Sequence, residues 1–205
     1  MTAVMTEVTT SNRRRPRAEL REAVYQAALS LFRERGYSQT SVDDVVSAAG
    51  VAKGTFFNFF PTKLEVMKAY YAAIDVEVAR CRDQMDPAAP TASLRTYAAA
   101  VEDILLREGR LMLDLLALAM HDPEIRRIDE DSGAADADEF AIFLLQAKNR
   151  GLIGGAVDPV RASAALVDLW AGAVRAWLAH PVSGALPELF GWRVDLLFKG
   201  LEHRP

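Results

Sequence analysis

Between residues 53 and 63 the chain places Lys53, Gly54, Thr55, Asn58 and Lys63 close together. No nucleophile is paired with a base here, and no set of metal ligands is spaced to converge. The groups are hydrogen-bond donors and acceptors around a glycine that lets backbone approach closely, so the chemistry they suit is recognition of polar edges and anionic oxygens. Upstream, Thr40 and Ser41 add two hydroxyls at a predicted helix start, where backbone N–H groups also favour a phosphate. Further upstream, RRRPR (13–17) supplies Arg13, Arg14, Arg15 and Arg17, a sequence-independent attraction for a polyanion.

Other chemistries find little support. The single cysteine, Cys81, excludes an internal disulfide and a Cys-rich zinc site, and reads as a small apolar residue. His121, His180 and His203 lie far apart in sequence. Asp136, Asp138 and Glu139 sit in an Ala/Gly-rich acidic run that reads as a solvated turn or helix start rather than a catalytic carboxylate group. There is no phosphate-binding glycine loop and no Gly-x-Ser-x-Gly, so no enzyme, metal or cofactor is expected. The stretch LMLDLLALAM (111–120) is too short for a membrane span, which needs ~18 apolar residues, and it carries Asp114. Residues 1–12 lack a signal-peptide core. A cytoplasmic protein without membrane contact is expected.

The net charge of −4 hides an asymmetry. Residues 1–70 hold ten Lys/Arg against seven Asp/Glu, and the remainder holds fourteen against twenty-one. A basic head on an acidic body suggests an anion-binding module joined to a domain with another task.

The elements that must position these residues can be read from apolar periodicity. Leu20, Val24, Ala28, Leu31 and Phe32 share a helix face that Gly36 ends. Val42, Val45, Val46 and Ala49 recur at i, i+3, i+4, i+7, with Thr40 or Ser41 as N-cap and an acidic residue three positions on from each. Gly50 stops this helix, and a second short helix runs through the phenylalanines to Pro61, since the residue before proline leaves the α region. Two short helices joined by a tight turn make a helix-turn-helix, whose second helix enters the DNA major groove. The same pattern alone also describes a plain αα-hairpin. Phe56, Phe57, Phe59 and Phe60 cannot all face one core, so some must face outward. Longer helices are expected from about Thr62 to Met85 and at about 91–107, 110–120, 124–150, 158–179 and 185–203, the fourth of these either continuous or broken at SGAADADE (132–139). No strand or repeat is expected. The chain reads as all-α: a disordered basic arm (1–16), an N-terminal three-helix DNA-binding domain (17–62), and a larger helical domain (63–205).

The run TSVDDVVSAAGVAKGTFFNFFPTKLEVM (40–67) resembles the DNA-binding domain of the TetR family of bacterial one-component regulators. The resemblance is carried by Thr40, Ser41, Val42, Val45, Ala49, Gly50, Val51, Ala52, Gly54, Thr55, Phe56, Phe60, Thr62 and Lys63, and by the helix ending before Gly36-Tyr37. It implies a homodimeric regulator, usually a repressor, released from a palindromic operator in double-stranded DNA when a small molecule enters the C-terminal domain. It also places Thr40, Lys53, Gly54, Thr55, Phe57, Asn58, Phe59 and Lys63 where family members touch DNA. Phe57 and Phe59 depart from the family, which favours Tyr at the first position and Tyr or His at the second. Phenylalanine cannot offer a phosphate a hydroxyl or ring nitrogen and would instead pack on sugar or a thymine methyl.

In the larger domain, Leu166, Leu169, Ala173 and Trp177, with Trp192, Leu196 and Leu197, form apolar stripes suited to a four-helix dimer interface or, equally, to internal core. Tyr97, Met112, Leu116, Met120, Phe143 and Trp170 offer an adaptable apolar lining for an effector, expected to be apolar or amphipathic. A competing reading is a helical adaptor whose DNA-binding head is vestigial.

Overall fold

The computed structural model describes residues 16–180 and 184–201, with the side chains of 110, 113, 116, 117, 129 and 201 left aside. Among the described residues the structure is helical throughout, in the order α1 (Arg17–Arg35), α2 (Val42–Ala49), α3 (Lys53–Phe59), α4 (Lys63–Arg82), α5 (Pro90–Glu108), α6 (Arg110–Ala119), α7 (Pro123–Asn149), α8 (Pro159–Ala179) and α9 (Ala185–Leu201). The chain divides into two compact units, residues 1–63 and 64–205.

Local chemistry sets the ends of these helices. Ser41 is the N-cap of α2 in a full capping box: its hydroxyl accepts from the Asp44 N–H at 3.1 Å, and the Asp44 carboxylate accepts from the Ser41 N–H at 2.9 Å. Gly50 ends α2 at φ +64°, a left-handed conformation that a side chain would strain. Asp122 and Asp158, each followed by proline at the first helical position, cap α7 and α8. One cap is long-range. The start of α9 is capped by Glu102 of α5, whose buried carboxylate accepts from Gly184 N–H at 2.6 Å and Leu186 N–H at 2.9 Å.

In the first unit, Val24, Ala28, Phe32, Val45, Phe56 and Phe60 are buried together, so α1 and α2 form the seat on which α3 rests. In the second unit α5 packs on α9, α7 on α8, and α8 on α9. Its centre is a run of rings: Phe140 edge-on to Tyr97 at 5.7 Å, Tyr97 to Trp170 at 5.1 Å, and Trp170 to Phe190 at 5.0 Å between centroids. Close approach of α5 and α9 uses Gly191, over which the Arg95 guanidinium lies on its way to Asp195. The stretch 132–139 is unbroken helix within α7. Alanine favours helix there, and α4 supplies partners from outside: Ser132 donates to Asp75 at 2.8 Å and Arg82 pairs with Asp136. Among the described residues no helix is long and apolar enough to cross a membrane.

Candidate nucleic-acid interface

The seven residues of α3 divide by helical period. Phe56 is buried inside α3, as is Phe60 at its C-cap, the two rings 6.0 Å apart. Their burial holds α3 down on α1 and α2, and truncating a buried Phe costs about 3–5 kcal/mol. Lys53 and Phe57 lie one turn apart on the open side, as do Gly54 and Asn58, and all four are exposed. Thr55 and Phe59 flank this face half-buried. The open face thus combines a cation, an amide, a bare glycine and one aromatic ring, Phe57, at 44% exposure.

The two outer phenylalanines differ. Phe57 leans edge-on against Phe56 at 5.4 Å and otherwise faces outward. Phe59 is covered on one side by the Arg17 guanidinium, 5.8 Å from its ring centroid, and Arg21 lies 4.8 Å from the Phe60 centroid. Arg17 therefore sits at the foot of α3 in a cation–π contact rather than on a free arm. Arg13, Arg14 and Arg15 lie outside the described residues.

Three further expectations change on the structure. Thr40 is 2% exposed, and its hydroxyl donates to the Gly36 carbonyl at 2.9 Å with a longer contact to Leu31 O at 3.4 Å. It closes the α1–α2 loop, so the Thr40 hydroxyl hydrogen is committed inside the fold rather than offered outward. Only Ser41, of the two hydroxyls, is exposed. Lys63, expected beside a phosphate, donates to the carbonyls of Tyr37 at 2.7 Å and Thr40 at 2.8 Å, over the Tyr37 ring at 4.2 Å. It braces the loop that precedes α2, and partial burial lowers its ammonium pKa below the usual lysine value. Finally, Lys53 is already paired: Asp43 of α2 takes its ammonium at 2.8 Å. Asp43, Arg21 and Tyr37 were missed in the sequence because each acts across elements with no local spacing signal.

Hydrogen bonds from the Ser41 hydroxyl and then its backbone N–H hold the Asp44 carboxyl below the usual carboxylate range, with a smaller contribution from Arg35. The Asp136 carboxylate is engaged by Arg82, while Asp138 and Glu139 are exposed on α7. Burial raises the Cys81 thiol, which leaves it a poor nucleophile at neutral pH.

The expected effector lining also changes. Tyr97, Met112, Phe143 and Trp170 are buried, but Met120 is 70% exposed and cannot line an interior pocket; the Leu116 side chain lies outside the described residues. Of the expected dimer stripe, Leu166, Ala173 and Trp177 are internal core, Leu169 and Leu197 are half-buried, and Trp192 and Leu196 stand 63% and 52% exposed on α9. Alternation of apolar residues gave the helix faces but could not say which face a neighbouring helix covers.

Comparison with known proteins matches this geometry. The sequence model of bacterial regulatory proteins of the tetR family fits residues 24–70, which span α2, α3 and parts of α1 and α4. The transcriptional regulator AcuR of Cereibacter sphaeroides is 36% identical over 91 residues, covering 43% of this chain and 42% of that protein. The chain therefore aligns with less than half of that relative's length. TtgR of Pseudomonas putida, an HTH-type transcriptional regulator, is 26% identical over 175 residues, 80% of this chain and 83% of its own. Among solved structures, Thermus thermophilus FadR, a TetR-family transcriptional repressor in complex with lauroyl-CoA, superposes with a TM-score of 0.66 at 28% identity over 90% of this chain and 96% of FadR. With α3 seated on α1 and α2 by Phe56 and Phe60, residues 24–70 match the DNA-binding module of the TetR family of regulators, and the chain as a whole has the fold of that family's solved members.

Proposed function

We propose that the protein is a DNA-binding transcriptional regulator that represses as a homodimer on a palindromic operator and is released by a small effector. The observation that carries this reading is the face of α3: Lys53, Gly54, Phe57 and Asn58 open together while Phe56 and Phe60 fix the helix from behind. An α-helix fits the major groove, where an amide and an ammonium read base edges and a ring meets a thymine methyl. Backbone phosphate is assigned to Ser41, exposed at the start of α2, and to Arg17, which lies over Phe59 beside α3. The dimer reading rests on Trp192 and Leu196, large apolar side chains four residues apart and exposed on α9. The effector reading rests on the helical unit 64–205, which TetR-family relatives also carry.

The test is binding of the full chain to the DNA upstream of its own coding sequence. A protected inverted repeat, with affinity that falls steeply with salt, is expected. Lys53→Ala should weaken binding to that repeat more than to random DNA. No protection at low salt would overturn the regulator reading and leave the adaptor as the better account.

A further inference from the structure

The helical period sorts the outer side chains of α3 more finely than exposure does. At about 100° per residue, Asn58 points directly away from the midpoint of the buried pair Phe56 and Phe60, and Gly54 lies one turn earlier beside it. A Cβ built on Gly54 would meet nothing within 4 Å, so this line of the helix is open. Phe57 and Phe59 lie about 100° to either side of Asn58. A helix laid in the major groove on this line turns Asn58 to the base edges and one phenylalanine toward each wall.

The two flanks are not equivalent. Phe59 is half-buried with the Arg17 guanidinium over its ring, so that flank presents a cation. Phe57 leans edge-on against Phe56 and is otherwise uncovered, at 44% exposure. One turn before it, the Lys53 ammonium is held by Asp43. The Phe57 flank therefore offers bare ring, with nothing to donate to a phosphate.

The outer part of a base edge is what such a ring meets. The groove edge of a base pair runs from the pairing atoms at its middle to the atoms nearest each backbone at its ends. For a pyrimidine the end position is C5, which carries a methyl in thymine and only hydrogen in cytosine. For a purine it is close to N7, an acceptor that a phenyl ring would strip of water without offering a donor. A methyl is thus the base feature at that flank that gains from contact, and burying one is worth about 4-fold in affinity.

We propose that Phe57 makes the protein a reader of pyrimidine C5-methyl groups: each half-site holds a thymine whose methyl lies under the ring, and 5-methylcytosine takes its place where cytosine does not. The inference rests on the reading of the chain as a DNA-binding regulator and names the base feature that α3 selects. Phe57 sets specificity, whereas the cation on the opposite flank adds attraction without base preference.

The test uses the full chain and the repeat it protects upstream of its own coding sequence, in synthetic duplexes that differ by single methyl groups. Each thymine is replaced in turn by deoxyuridine, which removes the methyl and keeps every hydrogen-bonding edge. One position per half-site should respond, weakening binding about 4-fold, and about 10-fold or more when both half-sites are changed. With a C·G pair at that position, methylation of the cytosine at C5 should tighten binding by a similar factor. Phe57→Ala, at an exposed position, should keep the melting temperature of the parent and bind the thymine and deoxyuridine duplexes equally. A repeat bound equally well with and without its thymine methyls overturns the inference. So does a Phe57→Ala variant that still loses affinity on deoxyuridine, since another group would then be reading the methyl. Neither outcome touches the regulator reading. That reading fails when no upstream DNA is protected at low salt, and the methyl assignment fails with it.

Discussion

Lys53 cannot contact a base until it leaves Asp43. Both side chains are exposed, and exposed pairs of this kind contribute about 0.2–1 kcal/mol, so the exchange is cheap but not free. Asp43 also places a negative charge near the expected position of a phosphate. Asp43→Asn should therefore tighten operator binding by about 2- to 10-fold at low salt, less at high salt, measured by fluorescence anisotropy. Unchanged or weaker binding would remove Lys53 from the recognition face. The neighbouring capping box answers to a different measurement. Ser41→Ala should lower the stability of the first unit by about 0.5–2 kcal/mol in denaturant titration. The Asp44 carboxylate in that box has a lowered folded-state pKa, so its contribution is present above the ordinary carboxylate value and is lost as pH falls through the lowered one. Asp44→Asn should flatten that acid-side loss, while leaving stability near pH 7 below that of the parent protein.

Helix positions were legible because the signals that set them are local. Gly36, Gly50 and Pro61, the Ser41–Asp44 box, and Asp-Pro at 122–123 and 158–159 each act within a few residues of the end they define. The division of the phenylalanines was legible in part: the pair one turn apart, Phe56 and Phe60, is internal, but Arg17 over Phe59 depends on where α1 lies. Thr40 carried the right residue type for a phosphate and the wrong environment, because its burial comes from the path of the 36–40 loop. The aromatic residues expected around an effector have the same spacing whether they enclose a cavity or pack on each other, and two of them, Tyr97 and Trp170, pack against one another, with Phe140 edge-on to Tyr97. Glu102 had no sequence signal at all, since the N–H groups it caps lie more than eighty residues away at α9. Its removal tests that cap. Glu102→Ala should cost about 1–3 kcal/mol in the second unit by leaving buried donors without an acceptor, and amide exchange should rise at 184–186 ahead of the rest of α9.

At the scale of the whole molecule the proposed dimer, joined through the exposed Trp192 and Leu196 of α9, would carry two copies of the basic N-terminal part. On the proposed reading a single copy, with its seven-residue α3, would contact one half-site, and linking two would convert the second contact into an intramolecular step. Recognition helices ~34–36 Å apart meet successive major grooves on one side of the duplex. Trp192→Glu with Leu196→Glu places two charges where a symmetry mate is expected, without touching the core of the monomer. Sedimentation should then give a monomer with an intact melting transition, and affinity for the inverted repeat should fall about 100-fold or more while binding to random DNA changes little. Leu166→Ala is the contrast, since Leu166 is fully buried. It should cost about 2–5 kcal/mol of stability with the oligomeric state retained. A double variant that stays dimeric would place the interface elsewhere, and one that is monomeric yet binds the repeat undiminished would show that a single head suffices.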